Sequence, residues 1–201
     1  MLRAANIIFW LALTLWIAGL VSSGIAAYAV FGELPTMSMQ LQRFEAAAPA
    51  EQGMIAAGHV MQKVFRVTDI VQYLAASLAT LTMVIDLVLL GERRRWMSNA
   101  LRIMCITIAG GVLLFRAMDL TPRMDRELRA YWAAAEEGRV EDAKSHRAAF
   151  TALHPRARML MTASLVMLLA AAGASAVALG PHKPERARRE AGESDADRIA
   201  R

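Results

Sequence analysis

Residues 7–31 read IIFWLALTLWIAGLVSSGIAAYAVF, a run without a single charge. A helix rises about 1.5 Å per residue and a bilayer's hydrocarbon core is roughly 30 Å thick, so such a run is long enough to cross one. Three further stretches meet the same test. Residues 70–90 carry only Asp86, residues 159–179 carry no charge, and residues 97–118 qualify if they take Arg102 and Arg116 with them. Between the runs, charge crowds into residues 91–102, 116–158 and 181–201. This segmentation predicts an all-α polytopic membrane protein with four transmembrane helices in a bundle.

Composition agrees. The chain has 201 residues, 56% of them hydrophobic, and a mean hydropathy of +0.34. That apolar share exceeds what a water-soluble domain uses. The net charge of +5 does not point to nucleic acid, because the 23 basic residues are interleaved with 18 acidic ones and offer no uncompensated basic face. Cys105 has no second cysteine to pair with. The first run also resembles a secretory signal, with Arg3 ahead of it and AYA at 27–29, but it outlasts a signal's usual apolar core and reads as a retained helix.

Positive residues favour the cytoplasmic side of short loops, and GERRRW (91–96) is the most basic short loop. Both termini then lie inside, and loops 32–69 and 119–158 outside. Residues 1–179 form the membrane domain and 180–201 a disordered cytoplasmic tail, rich in Arg, Glu and Asp. Pro49 can start a helix, and no proline follows before Leu90, so the second helix is expected to project about 60 Å, twice the bilayer core. In the other loop, Thr121 and Pro122 read as an N-cap and first helical position. Met124, Leu128, Tyr131, Trp132 and Ala135 recur at helical spacing, and Gly138 ends the element. This stripe reads as an external helical cap packed on the projecting second helix, with a helix lying in the headgroups as the alternative.

Charged groups at membrane depth need partners. Asp86 and Arg102 fall at matching depth near the 91–96 loop and are expected to pair, with proton relay through Asp86 as the sharper alternative. Near the other face, Arg66 and Asp69 are spaced by three, as are Arg116 and Asp119, which places each pair on one helical face. These groups read as a register-fixing charge network or, alternatively, as a polar vestibule for a small solute. Small residues at Gly19, Ser23 and Ala27, and again in AGG at 109–111, read as close helix contacts. Pro155, in FTALHPRARML (150–160), is expected to start the last helix or to bend one that continues from the loop, with Arg156 and Arg158 in the headgroups and His154 level with Arg116 and Asp119. His59 and His154 are the only candidates for a haem or copper ligand pair, and two histidines without further ligands at metal spacing carry little. No resident cofactor is expected otherwise. No hydrolase elbow, phosphate loop, zincin pattern or Cys pair is present.

GLVSSGIAAYAVFGELP (19–35), AGHVMQKVFRVTDIVQYL (57–74), MDLTPRMDREL (118–128) and FTALHPRARML together resemble the transmembrane protein 205-like family. Phe150, Leu153 and His154 match that family's element before the last helix, and Gly58 and Phe65 its entry to the second. Pro155-Arg156-Ala157 departs from the small residue that follows the histidine there. The resemblance implies a four-helix membrane domain and no established reaction. Copper-resistance D-type membrane proteins are a more distant comparison. The expected role is therefore a non-enzymatic structural, stress-related or transport-accessory component of a bacterial inner membrane. A haem- or copper-binding protein and a small-solute or proton carrier are the alternatives. The expected partners are the lipid bilayer and either further copies of itself or another membrane protein, with no nucleic acid.

Overall fold

The computed structural model describes residues 2–37, 39–45, 47–90 and 96–179. The expected behaviour of the tail and the placement of the basic loop at 91–95 lie outside these residues. Everything described is helix or connector. Helix α1 (Leu2–Glu33) is followed by two 3₁₀ turns, Leu34–Thr36 and Gln42–Phe44. Then come α2 (Pro49–Leu90), α3 (Trp96–Phe115), a π-helical segment (Arg116–Leu120), α4 (Thr121–Glu136) and α5 (Val140–Leu179). Four stretches are long and apolar enough to cross a membrane, and the third runs from Ser98 through to Glu136.

The 42 residues of α2 span roughly 63 Å. The continuous α3–α4 rod and α5 have similar length, and α1, though shorter, runs along α2 until Leu34 and Pro35 meet Gly53 near the start of that helix. One half of the molecule is a four-helix apolar bundle, and in the other α2, α4 and α5 carry the charge while the C-terminal part of α1 lies along α2. Helix α1 packs along α2 and α3 along α5, with slimmer seams joining the two pairs. Their shared core contains Phe9, Leu13, Trp16, Ala79, Ile106 and Leu168. Outside that core the apolar half remains apolar: Leu11 is 64% exposed, Leu114 59% and Val177 68%. A helix apolar on every side wants an apolar solvent.

The charged half has its own core of Phe44, Ile55, Tyr131, Trp132, Ala134, Ala135 and Ala143. Glycine closes its far end. Gly138 adopts φ 72°, Arg139 N–H donates to Ala134 C=O at 2.8 Å, and Gly138 N–H donates to Ala135 C=O at 3.3 Å. This paired arrangement ends α4 and turns the chain into α5. The connector from α1 to α2 is held just as closely. Gln52, 6% exposed, accepts from Leu41 N–H at 2.6 Å and donates to Ala47 C=O at 2.9 Å.

One expectation about helix breaks needs correction, and another is decided between its alternatives. Thr121 is no N-cap: it has helical φ −61° and ψ −45°, and its N–H donates to the Arg116 carbonyl across a π turn. Pro122 would crowd the Met118 carbonyl and deny it a donor, and widening the preceding turn accommodates that ring without ending the helix. Pro155 does not start the last helix; of its two alternatives, the helix that continues from the loop is the one found. The proline lies inside α5, which runs unbroken from Val140 to Leu179.

Candidate functional site

Two buried ion pairs bracket the apolar half. Asp86 of α2 and Arg102 of α3 form the pair expected from their depth, at 3.8 Å, with side chains 8% and 11% exposed. That distance is an ion contact rather than a hydrogen bond. The Arg102 guanidinium also lies over the Phe9 ring of α1, 5.0 Å from its centroid. Three helices are joined by one side chain, by charge on one side and a π face on the other.

The second pair differs from the one expected. Arg116 does not turn to Asp119 on its own helix; it donates to Asp69 Oδ1 on α2 at 3.2 Å, the two side chains being 9% and 13% exposed. Asp119 instead accepts Arg123 at 2.6 Å on the rim, and Arg66 stands exposed. Arg116 opens the π segment, is 7% exposed and reaches inward, so only a carboxylate from a facing helix can meet it. From residue 69 to residue 86 helix α2 advances roughly 25 Å, and from 102 to 116 helix α3 advances roughly 21 Å.

Further polar groups lie near the Asp69–Arg116 level. Gln72, one turn along α2 from Asp69 and on the same face, is 1% exposed, and its Oε1 has no partner among the described residues. Its Cγ lies 3.4 Å from where a Cβ on Gly19 would stand, so the small residue on α1 makes room for it. Ser23, fully buried, donates to the Leu20 carbonyl at 2.9 Å. Ser164 of α5 is 2% exposed, and its Oγ also has no partner among the described residues. The seam of Gly19 and Ser23 thus serves the bundle as expected. In the AGG stretch Ala109 does so too, fully buried in the shared core, whereas added Cβ atoms on Gly110 and Gly111 would meet nothing within 4 Å.

The histidines stand apart. His59 stacks on Trp132 of α4, with 3.7 Å between ring centroids and 24° between planes. Its pKa is held below 6.5 by burial, then by Lys63 and Arg43. His154 meets the edge of Phe150 one turn away on α5, at 4.7 Å. Counting from the Gly138 turn, His154 lies roughly 15 Å further along the bundle than the His59–Trp132 stack and about one turn from the level of Asp119. Among the described residues no group of three or more His, Cys, Asp or Glu side chains gathers as a metal site.

In the charged half, Tyr131 donates to Glu51 Oε1 at 3.2 Å and Arg147 approaches the same oxygen at 3.7 Å, so one carboxylate joins α2, α4 and α5. Burial, followed by Glu51, pushes the Tyr131 phenol up to about 12. His146 Nδ1 lies 2.8 Å from Glu127 Oε2, a second α4–α5 tie. The aromatic stripe read from spacing therefore faces its neighbours: Tyr131 and Trp132 meet α2, and α4 as a whole packs along α5. No protein-family model matches the chain, and neither does any curated protein or solved structure.

Proposed function

We propose that this protein is a non-enzymatic integral membrane component, structural, stress-related or transport-accessory in role, whose four helices cross a bilayer. The observation that carries this reading is the placement of the two buried Asp–Arg pairs. They stand roughly 21–25 Å apart along the helices, a separation that a hydrocarbon layer about 30 Å thick would contain. There each charge is neutralised by another helix and fixes the register of the bundle. By the distribution of basic residues the 91–95 loop and both termini face the cytoplasm, and the Gly138 end projects outward. The Ala- and Arg-rich composition suits a bacterial inner membrane, and kinship with the transmembrane protein 205-like family fits the same architecture.

A second reading, a small-solute or proton carrier, draws on the buried Gln72 Oε1, one turn from Asp69, and Ser164 Oγ of α5, both without a hydrogen-bond partner among the described residues. Purified protein in sealed vesicles carrying a pH-sensitive dye separates the two. Proton flux equal to that of protein-free vesicles, unaltered by Asp86→Asn or Asp69→Asn, is the result expected. Flux that disappears in either variant establishes the carrier.

A further inference from the structure

The charged half holds a groove of about 580 Å³ that none of the buried pairs explains. It opens between the 3₁₀ turn Gln42–Phe44, α2 and α4, and its volume falls within the range of small-molecule sites. Its apolar lining combines Leu41, Ala56 and Ala133 with three aromatic rings. Phe44 and Trp132 are 7% and 8% exposed, and the His59 ring lies between them, stacked on Trp132 and tilted at 6.3 Å from Phe44. The groove is preformed, because Gln52 holds the connector that carries Phe44 at both ends.

Charge at the rim is unequal. Two guanidinium groups, Arg43 and Arg129, line the groove against one carboxylate, Glu136. Arg43 is already held by Glu136, with Nε and Nη2 donating to the same oxygen at 3.0 and 2.8 Å. Arg129 is held by Asp125 on α4 at 3.1 Å. Both arginines are open to water, their side chains 77% and 64% exposed. Ion pairs so open to water are screened and contribute little, so they yield readily to a carboxylate that brings a better second contact. A planar carboxylate matches the guanidinium fork.

The geometry points to a binding site for a small organic carboxylate with an aromatic or alkyl body: the body lies on the open face of His59 and on Leu41, Ala56 and Ala133, over the buried Trp132 and Phe44, and the carboxylate displaces Glu136 from Arg43 and engages Arg129. This site lies in the charged half, apart from the buried pairs, and does not depend on the role proposed above.

The test uses full-length protein in lipid nanodiscs, with empty nanodiscs as control. Binding of 3-phenylpropionate and of its uncharged amide is followed by saturation-transfer NMR and equilibrium dialysis. Saturable binding of the carboxylate is expected, about tenfold tighter than the amide, with about tenfold loss in an Arg43→Gln/Arg129→Gln variant whose melting temperature matches the parent. Glu136→Gln, which removes the competing carboxylate, is expected to tighten binding. The proposal is overturned by absence of saturable binding, by equal affinity for acid and amide, or by an Arg43→Gln/Arg129→Gln variant that binds as the parent does.

Discussion

Arg116, at the start of the π segment, reaches across to Asp69 of α2 and holds it at 3.2 Å with both side chains nearly closed to solvent. Removing one partner of a buried pair leaves the other charged in a medium that cannot solvate it, which costs about 3–5 kcal/mol. Asp69→Asn and Arg116→Met are each expected to destabilise the protein by about that amount. The double variant Asp69→Asn/Arg116→Met is expected to recover most of the loss. Denaturant titration in mixed micelles measures the cycle. Additive losses would show that the two side chains do not act as a pair.

Two glycines on α2 make way for neighbours. A Cβ on Gly53 would stand 2.6 Å from the Leu34 carbonyl oxygen and 2.7 Å from Pro35 Cα, both backbone atoms that cannot step aside. On Gly58 it would stand 3.2 Å from Trp132 Cζ2. Gly53→Ala is therefore expected to cost about 1–3 kcal/mol, and Gly58→Ala less, since helix propensity returns up to about 1 kcal/mol. Limited proteolysis within the 34–48 connector reads the difference, with Gly53→Ala cut first. Equal protease resistance in Gly53→Ala and the parent would contradict the close contact.

His59 gives the charged half a pH dependence of defined sign. Its folded pKa lies below 6.5, through burial first and then Lys63 and Arg43. Below 6.5 the unfolded chain takes up the proton more readily than the folded one, so His59's contribution is complete above 6.5 and declines as pH falls through that value toward the lower folded pKa. Ring-proton NMR of His59 is expected to show a midpoint below 6.5 that rises in Lys63→Gln. A midpoint above 6.5 would mean that the Trp132 face and Glu136 outweigh desolvation and the two cations.

The elements and the pairs differ in how far they can be read from residues alone. Hydrophobic runs locate the four apolar stretches, and the absence of proline between Pro49 and Leu90 signals the long α2. Gly138 ends α4 as expected because only a residue that tolerates positive φ serves that turn. Asp86 meets Arg102 because depth alone selects the partner. Spacing of three misassigns Arg116 because it describes neighbours on one helix surface, whereas a side chain turned into a bundle meets a facing helix. The π segment adds to that error, since an inserted residue rotates the helix before it relative to the helix after it. A proline after a long apolar run, Pro122 here, is the signal in the sequence, and it also fits a helix start. The groove depends on a 3₁₀ turn folding back onto α2, a tertiary contact without local periodicity.

The proposed orientation sets the Gly138 end and the 91–95 loop on opposite sides of a membrane. In a Cys105→Ser background, Ser145→Cys and Arg94→Cys each provide one thiol for a membrane-impermeant maleimide applied to intact spheroplasts. Ser145→Cys is expected to be labelled at once and Arg94→Cys only after lysis. Labelling of both positions before lysis, or of Arg94→Cys alone, would contradict that orientation.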